Sequence, residues 1–165
     1  MVKFSNSLGG WLQSERFFEM FMNEKPTPTV FQIIHDGIQD DFFIELIPQI
    51  YERSIENIDV PDSSIVLADI SSNLDQESRE NIISLIFQQS DLCIERADAL
   101  YRICHENQIN LPQNFVEQLI DDMVTNESEE VLQCTEAILL QNAEYFTSTD
   151  FNTIFYKIDW RLRFQ

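Results

Sequence analysis

Three glycines in 165 residues limit what this chain can fold into more than any other feature. Two of them are adjacent, Gly9 and Gly10, so they punctuate the chain at only one place. All-β folds need many tight turns with positive φ, which glycine supplies at low steric cost. Loops that cradle phosphate need glycine for close backbone approach. This count argues against both and favours helices. The apolar share of 44% and the 13 phenylalanines argue against disorder, because disordered chains lack aromatic and branched side chains. A chain of this length can bury roughly 70% of its unfolded surface, so it needs neither a disulfide nor a metal to fold. The expected fold class is all-α, organised as one helical domain over residues 1–165.

Apolar spacing predicts where the helices lie. Leu8, Trp11 and Leu12 fit one helical face, and Ser14 is a candidate cap for a second helix carrying Phe17, Phe18 and Phe21. This N-terminal stretch reads as helix packed on the core rather than as a membrane-surface helix. Its polar face mixes acids with a single arginine, whereas interfacial helices are rich in Lys and Arg. Pro26 and Pro28 mark a break, after which Thr29 is expected to cap a helix with Val30, Ile33, Ile34 and Ile38. A further helix is expected from Asp40-Asp41 through Tyr51, kinked at Pro48, since proline in an unadapted helix interior costs about 3 kcal/mol. The segment from Asn57 to Asp62 reads as a loop, with Asp62, Ser63 and Ser64 capping a short helix. From Asp75 onward the pattern is more regular. Ile82, Ile83, Ile86 and Phe87 share a face, and Ser90-Asp91 caps a helix carrying Ala97, Leu100 and Ile103. Pro112 suits a first helical position, Ser128 caps the next helix, and Thr149-Asp150 caps the last.

The chain matches itself at an offset of 37 residues. Ile82 meets Leu119, Ile83 meets Ile120, Ile86 meets Met123, Ile94 meets Val131, Ala97 meets Cys134 and Ile103 meets Leu140. Fixed periods of 20–50 residues signal stacked helical arrays, whose units cannot bury their apolar faces alone. Phe43-Ile44-Glu45-Leu46-Ile47-Pro48-Gln49-Ile50 is similar to a HEAT first helix with its kinking proline, and Asp91 through Leu100 is similar to the second helix. Residues 41–158 thus resemble the HEAT and armadillo type of repeat. The resemblance implies antiparallel helix pairs stacked as a short superhelix over 41–165, preceded by N-terminal helices over 1–40. It also implies a scaffold that binds proteins along an extended surface. The unit at 128–140 departs from the pattern, with Ser128 and Gln133 where an Asp and an Arg recur. The alternative is an irregular α-helical bundle.

The formal net charge is −19. Direct binding to nucleic acid is disfavoured, because it needs Lys and Arg to displace counterions, and an anionic membrane would repel the chain. From Ser54 to Asp150 there are 20 acids against Arg79, Arg96 and Arg102, a balance that steers a basic partner toward the chain. Asp121, Asp122, Glu129 and Glu130 are the candidate partner-binding acids. The C-terminal stretch reverses sign with Lys157, Arg161 and Arg163, interleaved with Tyr156, Trp160 and Phe164. Trp160, Arg161 and Arg163 are therefore candidates for an aromatic and basic anchor, the composition of binding hot spots. A last helix that clamps the acidic body explains the same residues.

No credible catalytic constellation occurs. His35 adjoins Asp36 and His105 adjoins Cys104, but neighbours on a helix point about 100° apart and form no site by themselves. Cys93, Cys104 and Cys134 lack metal-ligand spacing and read as small buried hydrophobes in a reducing compartment. The Asn126-Glu127-Ser128 sequon carries no meaning in such a compartment. The signatures GxSxG, HExxH and GxxxxGK[ST] and the calcium loop are absent, so no cofactor or metal is expected. Glu15, Arg16 and Glu19 interrupt any secretory apolar core, and no run of 18 apolar residues occurs. The expectation is a cytoplasmic, non-enzymatic protein-interaction module. The alternative is an acidic inhibitor or immunity-type protein that blocks a basic, nucleic-acid-binding site. An enzyme with carboxylates dispersed along a helical groove would need converging acids with shifted pKa values.

Overall fold

In the computed structural model, residues 8–38, 41–89, 92–126, 128–150 and 152–156 are described, and no strand occurs among them. The all-α class holds. The chain divides into two compact units, Met1–Gln89 and Ser90–Gln165.

The first unit opens with α1 (Leu8–Asn23), one uninterrupted helix. Ser14 lies inside it rather than at the start of a second helix, since no proline or glycine separates Trp11 from Phe21. α2 (Pro28–Gly37) begins two residues after Pro26, with Thr27 rather than Thr29 at its N-cap. Pro28 sets this start: its fixed φ suits the first turn, where its missing N–H has no partner to lose. α3 (Asp41–Ile44) and α4 (Ile47–Ile55) replace the single kinked helix expected here. Residues 45–46 form a turn, and Pro48 lies in the first turn of α4. The chain thus avoids an interior proline by starting a new helix at it. α5 (Ser63–Ile70) follows a turn segment, with Asp62 at its N-cap in the left-handed region at φ 69°. A short 3-10 turn over Ser71–Asn73 leads to α6 (Gln76–Phe87), where Asp75 accepts a hydrogen bond from the Ser78 N–H at 2.8 Å.

Phenylalanines knit the start of this unit. Phe21, Phe31 and Phe43 are buried, and Phe21 meets Phe31 edge-on with centroids 5.9 Å apart. Phe18 sits 6.4 Å from Phe42, also edge-on, the geometry that aromatic quadrupoles favour. α5 packs against both α2 and α4, contributing Val66, Leu67, Ala68 and Ile70 to the core. Arg53 ties α4 to the end of α1: Nε donates to the Phe21 carbonyl at 3.0 Å and Nη2 donates to the Glu24 carbonyl. A cation at these carbonyls satisfies the orphan acceptors of a helix end and suits its negative pole. Arg79 does the same for the 3-10 turn, donating to the carbonyls of Ser71 at 2.8 Å and Leu74.

The second unit contains α7 (Ile94–Glu106), α8 (Gln113–Thr125) and α9 (Glu129–Gln141), then helical residues at 148–150 and 152–156. α9 packs against α8 and α7. Ser90 and Asp91 lie outside the described residues, and the N-cap of α7 is Cys93. Pro112 is the N-cap of α8, one position before the expected one, and Ser128 caps α9 by accepting from the Val131 N–H at 3.4 Å. The last helical stretch is capped by Thr147 rather than by Thr149. Thr147 Oγ1 accepts from the Asp150 N–H while Asp150 Oδ2 accepts from the Thr147 N–H at 2.8 Å, a reciprocal capping box.

The 37-residue match has a structural counterpart in its first helices only. α6 begins at Gln76 and α8 at Gln113, and Ile82, Ile83, Ile86, Leu119, Ile120 and Met123 are all buried. α7 begins at Ile94 and α9 at Glu129, a step of 35. The boundary between the compact units falls between α6 and α7, inside the first of the two matched stretches.

Candidate functional site

The four acids singled out from the sequence lie either side of the turn joining α8 to α9. Asp121 and Asp122 stand near the C-terminal end of α8, and Glu129 and Glu130 form the first turn of α9. Asp121, Glu129 and Glu130 are exposed and Asp122 is half-buried. Their electrostatic settings differ. The α9 glutamates sit at the positive end of a helix dipole, a stabilising place for anions. Glu129 accepts from Gln133 Nε2 at 3.3 Å and Glu130 from Ser128 Oγ at 3.1 Å, both neutral donors. The α8 aspartates stand at the negative end of theirs, with no basic residue in the last turn. Burial, and then the neighbouring Asp121 carboxylate, push the Asp122 carboxyl above the usual carboxylate range. Among the described residues, neither Asp121 nor Asp122 forms an ion pair.

The turn is held by Asn126. Its Nδ2 donates to the Leu92 carbonyl at 3.3 Å and its Oδ1 accepts from the Ser128 N–H at 2.9 Å. The sequon asparagine is thus half-buried and engaged by backbone on both sides of its amide. Trp160, Arg161 and Arg163 lie outside the described residues.

The cysteine and histidine pairs are separated by the fold. Cys104 is buried with no exposed surface, and burial pushes its thiol up to about 12, far from a thiolate at neutral pH. His105 points the other way, exposed and stacked on Tyr101 with centroids 5.2 Å apart. Cys93 and Cys134 are free and half-buried, with thiols raised chiefly by burial. Among the described residues no group of three or more His, Cys, Asp or Glu side chains could hold a metal ion. No described helix is long and apolar enough to cross a membrane.

One pairing was beyond the reach of sequence spacing. His35 on α2 meets Asp69 on α5, with Nδ1 2.5 Å from Oδ2, rather than its neighbour Asp36, which accepts from Gln32 Nε2. The Asp69 side chain is only 6% exposed, so the imidazole satisfies a carboxylate removed from water. The signal lies in an apolar helix, Ile65 to Ile70, that carries an acid between buried positions.

No protein-family model, curated protein or solved structure matches the chain.

Proposed function

We propose that this chain is a non-enzymatic protein-interaction module of the HEAT or armadillo kind. In this reading the acidic corner between α8 and α9 receives the basic surface of an intracellular protein partner. The observation that supports it is the placement of the few cations. Arg53 and Arg79 are directed to main-chain carbonyls, and Arg102 stands between Asp98 and Glu106, 4.0 and 3.8 Å away. Asp121 and Asp122 form no ion pair among the described residues and face the negative pole of their own helix. A cation from another molecule would relieve that repulsion, and the surrounding field would speed its approach. Affinity capture with mass spectrometry at low and high salt would identify the partner. Replacing Asp121, Asp122, Glu129 and Glu130 together by Lys is expected to weaken its binding at least tenfold and to flatten its salt dependence, on the scale of about 1.4 kcal/mol per tenfold. Equal affinity and equal salt slope for the variant would overturn the proposal.

The exposed carboxylates of α8 and α9 support a second reading. Glu117 and Asp121, one helical turn apart and both exposed, continue toward Glu129 and Glu130 and present negative charge along one hairpin. An inhibitor that occupies a basic, nucleic-acid-binding site would use such a surface. Competition with DNA for the captured partner distinguishes this reading from a scaffold, which would bind without displacing DNA.

A further inference from the structure

We draw no further inference here: the strongest candidate, the exposed apolar side chains at and beyond the C-terminal end of α9 in the second unit (Leu140, Tyr145, Phe155 and Tyr156), carries nothing because nothing in the structure shows what covers it.

Discussion

Gln108 and Asp122 sit in settings that their side chains do not favour, and each makes a measurable prediction. Gln108 follows α7 at φ 54°, where its N–H donates to the His105 carbonyl at 3.4 Å and the Ile109 N–H donates to Cys104 at 2.9 Å. This is the pairing of a Schellman cap, whose left-handed position glycine occupies without steric cost. Gln108→Gly is expected to stabilise the protein by up to about 1 kcal/mol, after the entropy that glycine loses on folding is subtracted. Thermal unfolding would show a rise of roughly 2–4 °C, and a fall would contradict the cap geometry. Asp122 is the second case. Its carboxyl is raised by burial and by Asp121, so it favours the folded state when protonated and opposes it when ionised. Asp122→Asn should therefore add about 0.5 kcal/mol at neutral pH, by removing a partly desolvated charge and its repulsion with Asp121, an effect reduced by solvent screening of a half-exposed group. The gain should fade as the pH falls toward 3.8, the ordinary value, where the wild-type carboxyl also becomes neutral. A pH-independent difference in urea unfolding would show that charge is not the cause.

Helix ends, more than helix interiors, distinguish the elements. Asn142 closes α9: its Nδ2 donates to the Ile138 carbonyl at 2.8 Å, and its Oδ1 accepts from the Leu111 N–H at 2.7 Å, before α8 begins. It is fully buried. Asn142→Ala would leave the Leu111 N–H without an acceptor, at a cost of about 1–3 kcal/mol read as a lower urea midpoint. Gln141 reinforces the same junction by donating to the carbonyls of Ile109 and Cys104 at 3.0 and 3.3 Å. In the first unit Arg53 has the corresponding role for α1. Arg53→Met keeps the aliphatic stem but removes charged donors, each worth roughly 1.5–3 kcal/mol. Amide exchange should then accelerate at the C-terminal turn of α1 before it accelerates in α5. Uniform acceleration throughout the first unit would show that Arg53 holds more than one helix end.

For the whole molecule, a net charge of −19 means that self-repulsion opposes compactness. Few ion pairs offset it among the described residues. Lys25 and Asp59 stand 3.9 Å apart and are both exposed, and Arg53 meets Glu56 at 3.1 Å within one helix turn. Pairs of this kind contribute little. Added salt should therefore stabilise the fold, since screening weakens the repulsion more than it weakens these pairs. The thermal midpoint is expected to rise between about 10 mM and about 0.5 M NaCl, across which the screening length shortens from roughly 30 Å to a few Å. A midpoint that falls with salt would assign a larger stabilising part to the surviving ion pairs.

The sequence by itself determined the all-α class, the apolar faces of α6, α8 and α9, the Ser128 cap and the acids at the α8–α9 turn. These follow from local rules: glycine scarcity, a 3.6-residue period, and side chains that bond their own helix start. Local rules also explain the shifted helix starts at Pro28, Pro112 and Thr147, each one or two positions from the expected one. At Pro48 a turn and a new helix replace the expected kink. What only the tertiary structure decided are the partners distant in sequence: His35 with Asp69, Arg53 with the end of α1, and Asn142 with Leu111. The division between Gln89 and Ser90 belongs with them, although the 37-residue spacing runs across it. Periodicity reports which face of a helix is apolar, because burial repeats with the helix turn. It does not report which other helix covers that face, because many helices offer equivalent apolar stripes. Single polar side chains, each satisfied by one distant backbone group or charge, distinguish one arrangement from the others.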